Sequence, residues 1–303
     1  MIFCHHFVTF FFFARLKPNL KLKMMKTNLL ISLFLIVTIY LFQGCVPGEI
    51  KINSSSNNSK DSISDDSTKI ITSSDLIQNM ELSKASNIIT KIVFPAGRLT
   101  VNSAKTGLMK GEFKYTNIDW KPGFIYIEKN DTGHLNIAPE KNIENVNFND
   151  NDTCRWFIGL NPEKKYDISM EIGACKGDIN LENFLLQSLD LSLGAGDINV
   201  NLKNTSVPIL ELKVGAGKAI VYLTGEWKNN LKAEIDGGVG EVEIHVPKKV
   251  RVKAEINGFL GSVNAAGFSK NKNIYTNKCV GISPYILELV INGAIGQVKL
   301  ISE

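Results

Sequence analysis

Few side chains in this 303-residue sequence could do chemistry, and their spacing limits what that chemistry could be. Beyond Cys4 and Cys45 near the start, the thiols are Cys154, Cys175 and Cys279. Three is odd, so at most one pair can close. Cys154 and Cys175 stand 21 residues apart and could meet on neighbouring repeats; the alternative is that both are small apolar core side chains. No CxxC occurs, and no histidine accompanies these thiols at metal-ligand spacing. His134 in GHLNI and His245 in EIHVP each alternate along an expected strand, which makes them surface or core neighbours rather than general bases. Acids recur beside glycines: Asp178 in CKGD, Asp197 in GAGD and Glu241 in GVGE. A phosphate cradle would need a helix after GAGD, and none is expected there. Calcium rolls need a nine-residue repeat and several oxygens per ion, whereas Lys218 replaces the acid in the third copy. These acids are therefore expected to accept backbone N–H groups at turns. HExxH, GxSxG, P-loop and dinucleotide-binding patterns are absent from any fitting context. No catalytic residue, metal site or cofactor is assigned; a glycan-cleaving solenoid would need carboxylates converging in one groove.

The elements that carry these residues follow from one phrase: an apolar alternating run, a glycine pair, and a second alternating run. Its clearest copies are LDLSLGAGDINVNL from Leu189 and LELKVGAGKAIVYL from Leu210, turning at Gly194 and Gly196 and at Gly215 and Gly217. DISMEIGACKGDINL precedes them with Gly173. Three further copies follow, with Gly238 and Gly240, Gly258 and Gly261, and Gly293 and Gly296. The step between first glycines is about 21 residues until a longer last one. Leu189, Leu191 and Leu193 fall on one face of a strand, the glycines turn the chain, and Ile198, Val200 and Leu202 resume the alternation. One unit has a single apolar face, so copies must stack and share a core. The reading is an all-β chain, a β-solenoid or roll-like stack of short strands with glycine turns; a β-sandwich is the competing geometry. Before the array, Ile88 to Pro95, Arg98 to Ser103, Gly111 to Asn117, Gly123 to Asn130 and Gly133 to Pro139 read as strands, and Leu76 to Leu82 as a short helical turn. The last strand, Ile286 to Leu300, has no following copy, which leaves an end open for end-to-end dimerisation.

Four stretches result: a leader at 1–44, a tether at 45–80, an N-terminal β region at 81–165 and the glycine repeats at 166–303. Translation is expected to begin at Met24 or Met25, where Lys26, an apolar run from Leu29 to Phe42 and Gly44-Cys45 form an export signal. LFQGCVPG at Leu41 to Gly48 resembles a bacterial lipoprotein signal, with Phe42 and Gln43 departing from the usual Leu and small residue. That resemblance implies cleavage before Cys45 and its lipidation; an uncleaved membrane anchor is the alternative. The Ser-, Asn- and Asp-rich stretch that follows cannot bury enough apolar surface to offset its ordering entropy, so it reads as a tether. Residues 1–44 hold five Lys or Arg and no acid, so the formal charge of +4 becomes about −1 from Cys45 onward. With no basic stripe in the sequence and no nucleic-acid motif, nucleic acid is not an expected partner.

From about Leu82 onward, GRLTVNSAKTGLMKGEFKY, GFIYIEKNDTGHLNI and the GAGD phrases resemble the toast-rack family of bacterial envelope proteins, itself similar to the C-terminal domain of proteins of the cell-wall-active antibiotic response. The resemblance implies a rack of strands displayed on the envelope, with no enzymatic activity. The chain lacks the membrane-helix bundle of the stress-regulator branch. The expected function is a lipid-anchored binding or scaffolding protein on the extracytoplasmic face of the cell membrane, its partner an envelope protein or a glycan. An accessory sensor of envelope stress acting through a membrane partner is the alternative. Asn199, Asn201 and Lys203, and Glu241, Glu243 and His245, are the polar ladders that could make contact.

Overall fold

The computed structural model describes residues 74–141, 152–258, 260–281 and 283–303. The leader, Cys45, most of the tether and most of the Asn/Asp-rich loop before Cys154 lie outside the described residues. Among the described residues fifteen strands join in one sheet. In chain order they are β1 (Ser74–Met80), β2 (Asn87–Ser103), β3 (Met109–Tyr115), β4 (Pro122–Lys129), β5 (Thr132–Pro139), β6 (Cys154–Leu160), β7 (Lys165–Asn180), β8 (Leu185–Asn201), β9 (Ile209–Tyr222), β10 (Leu231–Val246), β11 (Arg251–Asn257), β12 (Leu260–Asn264), β13 (Phe268–Asn271), β14 (Ile274–Asn277) and β15 (Ile286–Ser302). Among the described residues no helix is long and apolar enough to cross a membrane.

Six long strands make the frame, stacked in the order β2, β7, β8, β9, β10, β15 with every neighbour parallel. Parallel pairing decides for the solenoid-like stack over an antiparallel sandwich. Each of these strands is a rung with two arms. In β8 Leu186 is buried near the start, then Leu189, Leu191 and Leu193 before the glycines and Ile198 and Val200 after them, so the inward phase shifts across Gly194–Gly196 and the strand folds over a corner. Both arms then face one core, and register stacks like on like: Leu189 on Leu210, Leu191 on Leu212, Val200 on Val221. Truncating a buried leucine such as Leu191 to alanine costs about 2–5 kcal/mol in such packing.

Why the corner needs glycine is clearest at Gly217. Its φ is +127°, and a Cβ there would lie 1.8 Å from the carbonyl oxygen of Gly196 in the next rung. Gly97, Gly196, Gly240, Gly296 and Gly261 hold the same place in other rungs. In β7 that place is Cys175, whose thiol fills the inward space that Ile198 fills in β8; its own strand has Gly177 opposite Ile198. The second ladder joins Gly173, Gly194, Gly215 and Gly238, each within 2.0–2.7 Å of a neighbouring carbonyl oxygen at its Cβ position. Gly293 pairs with Gly237, one place earlier, and Gly258 lies against the Gly293 carbonyl.

A third side closes each rung. Leu181 and Phe184, Leu202 and Val207, and Leu223 and Trp227 bury their side chains from the connecting loops. The loops stack as the strands do: Leu181 N–H donates to Asn201 O, Leu202 N–H to Tyr222 O and Leu223 N–H to His245 O. Asn183 and Asn204 adopt left-handed φ of 63° and 59°, and Asn204 Nδ2 donates to Asn183 Oδ1 at 3.0 Å.

The two ends differ from the expected order. Ile88–Pro95 and Arg98–Ser103 are two arms of one strand, β2, which folds at Pro95–Gly97. Its outer edge is shared by β5 along the first arm and β6 along the second. Leu76–Leu82 is not helical: β1 pairs antiparallel with β3 over seven positions, because alternation and an open edge outweigh a short amphipathic pattern. At the other end β15 is not terminal. It inserts between β10 and the pair β11 and β12, so both its edges are hydrogen-bonded and the premise of an end-to-end dimer through β15 is removed.

Candidate binding surface

Side chains that point away from the core on the second arms form rows that cross the strands. One row runs Asp75, Lys114, Arg155, Arg98, Lys176, Asp197, Lys218, Glu241, Gln297, Ser262, each paired with the next. Two residues along the strands run Glu112, Phe157, Thr100, Asp178, Asn199, Ile220, Glu243 and Lys299. This face has three chemically distinct parts.

The middle satisfies itself with amides. Asn199 Nδ2 donates to Asp178 Oδ1 and Asn201 Nδ2 to Asn180 Oδ1, both at 3.0 Å, while Lys203 reaches Glu182 at 3.3 Å. Asp178 and Asp197 do not share a ladder: Asp178 pairs with Asn199, and Asp197 pairs with Lys176 and Lys218. The two acids fall out of step because Cys175 takes the corner place, shifting the glycine-acid pair two positions along β7.

The far part is a compensated charge network. Lys299 Nζ lies 2.7 Å from Glu241 Oε1 and 3.6 Å from Glu243 Oε2, and Lys218 Nζ lies 3.0 Å and 3.6 Å from the same two carboxylates. The hydrogen bond from Lys299 and then the hydrogen bond and charge of Lys218 hold the Glu241 carboxyl below its ordinary pKa. His245 Nε2 is 2.9 Å from Glu243 Oε1, and its ring stacks on Tyr222 with centroids 4.4 Å apart. Its Nδ1 is 3.2 Å from Glu303 Oε1 but outside hydrogen-bonding geometry. The other histidine among the described residues, His134, is exposed on the first arm beside Ile89 and Ile127.

The near part is basic. Lys114, Arg155, Arg98 and Lys176 sit side by side on β3, β6, β2 and β7, all exposed. At a strand spacing of about 4.8 Å the row is roughly 14 Å long. Of the carboxylates around it, Asp75 lies 3.8 Å from Lys114, Glu112 is 2.8 Å from Lys110, Asp178 holds the Asn199 amide, and Asp197 stands next to Lys176 in the row without closing to ion-pair distance. Among the described residues Arg155, Arg98 and Lys176 have no carboxylate within ion-pair distance. Arg155, Arg98 and Lys114 line an open groove of about 410 Å³ together with Thr100, Phe157 and Ile77.

Sequence reading missed this row. Its members are far apart in the chain, on strands of both directions, and no local window holds more than one of them. The only signal was a single cation immediately before an inward aromatic or leucine, as in GRL at Arg98 and CRW at Arg155. The thiols, by contrast, stay apart. Cys154 and Cys175 lie on strands either side of Gly97, so two strand spacings separate them, beyond disulfide reach. Both are free and buried, and burial pushes the Cys154 thiol up to about 12 and the Cys175 thiol to about 11. Among the described residues no group of three His, Cys, Asp or Glu is placed to hold a metal ion.

A family model described as the N-terminal domain of toast_rack, DUF2154, matches residues 59–209 and 188–245. Among solved structures, a Clostridium sporogenes ATCC 15579 protein with the provisional name of a cell adhesion protein is 29% identical. That likeness covers 77% of this chain and 100% of the other, with a TM-score of 0.58. A provisionally named adhesin of Bacteroides fragilis NCTC 9343 is 13% identical, covers 75% of this chain and 97% of its own, and has a TM-score of 0.26. No curated protein matches.

Proposed function

The chain belongs to the toast-rack family, and from that premise we propose that it is a non-catalytic binding or scaffolding protein, displayed on the outer face of the cell membrane by a lipid on Cys45. The observation that carries the binding role is the second-arm face: one solvent-facing polar row, exposed over its near and middle parts and half-buried at Lys218, Glu241 and Gln297, that crosses ten strands without a deep cleft. Such a face suits an extended partner, either an envelope protein or a glycan. The adhesion name of the Clostridium sporogenes protein supports the same class of role for this chain. Display follows from the lipoprotein-like LFQGCVPG, since two or more acyl chains on one cysteine hold firmly to a bilayer.

Intact mass and detergent partitioning test the anchor in a bacterium that processes lipoproteins. Wild type is expected to begin at Cys45 and carry added diacylglycerol, with Cys45→Ala losing both the mass and the detergent phase. Retention of residues before Cys45 in both proteins would contradict it. Co-sedimentation of the purified full chain with isolated, stripped cell envelopes tests the binding role; protein that stays wholly in the supernatant would count against it.

A further inference from the structure

We propose that the basic row Lys114, Arg155, Arg98 and Lys176 is a binding site for an acidic polysaccharide that carries one carboxylate per sugar ring. The inference rests on the reading of the second-arm face as a binding surface and names the ligand for one part of it.

Three observations converge. Like charges placed side by side on neighbouring strands repel, so a run of four cations works against the sheet that holds it. The far part of the same face shows the ordinary solution, in which each lysine sits within 3.6 Å of two carboxylates. Among the described residues no carboxylate lies within ion-pair distance of Arg155, Arg98 or Lys176, which leaves this part matched to an anion from outside. Spacing then narrows the chemistry. The cations repeat at the strand separation of about 4.8 Å, and a pyranose ring advances a polysaccharide chain by a comparable length, so successive carboxylates can meet successive cations. The two arginines at the centre offer planar forks that bind carboxylates through paired hydrogen bonds. The groove is open rather than enclosed, as a polymer passing through requires, and Phe157 and Thr100 beside the row offer an apolar face and a hydroxyl to the rings.

Titration calorimetry of the full chain in detergent with polygalacturonate tests the site, with fully methyl-esterified polygalacturonate and inorganic polyphosphate as comparison ligands. Polygalacturonate is expected to bind in a salt-dependent way and the neutral ester not to bind. The Arg98→Gln, Arg155→Gln double variant should bind at least about tenfold more weakly, the loss of two charge-assisted contacts. Lys213→Gln with Lys232→Gln, an equal charge change on the first arm, should stay within about twofold of wild type. Folding of each variant is checked by its urea midpoint. Unchanged binding by the folded arginine variant overturns the proposal. So does polyphosphate binding as tightly as polygalacturonate, because charge alone would then suffice. If wild type sediments with envelopes yet ignores polygalacturonate, the ligand assignment falls while the binding role stands.

Discussion

The two ends of the second-arm face share one sheet and one strand spacing, yet they treat charge in opposite ways. Toward β15, Lys218 and Lys299 straddle Glu241 and Glu243, His245 leans on Glu243, and every charge has a partner. Toward β3, four cations stand in line between Asp75 and Asp197, and only Lys114 at 3.8 Å from Asp75 comes within ion-pair distance of either. A repeat fold makes such a contrast legible, because register places each residue of one rung beside its counterpart in the next. The lesson is that the far charges serve the sheet, whereas the near charges are carried despite the sheet.

Breaking the frame that both ends share should give the largest effect. In Gly217→Ala the new Cβ meets the Gly196 carbonyl at 1.8 Å in a left-handed conformation, so a loss of roughly 3 kcal/mol or more in urea denaturation is expected. Next comes the compensated end. Glu243→Gln leaves Lys218, Lys299 and His245 short of one carboxylate, and the same measurement should show a loss of about 1 kcal/mol. At the basic end the sign reverses: Arg98→Gln should raise stability by a few tenths of a kcal/mol, by relieving repulsion from Arg155 and Lys176. The smallest effect concerns pH. The Glu241 carboxyl titrates lower in the fold than in the unfolded chain, so its contribution is complete above the unfolded value near 4.5 and is lost as pH falls through the folded value. Glu241→Gln should therefore flatten the stability curve below pH ~4.5, and Arg98→Gln should leave that slope alone.

Much of the frame could be read from the chain. LDLSLGAGDINVNL declares two inward-alternating arms and a corner by itself, and the 21-residue step predicts that copies stack. What could not be read is which strand lies beside which. Nothing in ILELVINGAIGQVKL says that β15 inserts between β10 and β11, because strand order is a long-range property that alternation within one segment does not carry. β1 was misread because seven residues at a sheet edge carry too weak a pattern to separate strand from helix. For the face, the sequence drew attention to Asn199, Asn201, Lys203, Glu241, Glu243 and His245, which lie close together along two strands and prove largely self-satisfied. The basic row is assembled across strands, so only register brings Arg98 beside Arg155 and Lys176. Cys175 was the other hidden feature: a residue at a glycine corner that works because Gly177 makes room for its thiol.

The most direct test is to measure the urea midpoints of Arg98→Gln with Arg155→Gln and of Glu243→Gln against wild type in one buffer at low salt. We expect the arginine variant to unfold at equal or higher urea and the glutamate variant at lower urea. If neutralising the arginines lowers the midpoint as much as removing Glu243 does, those cations hold the sheet together after all, and the contrast between the two ends is wrong.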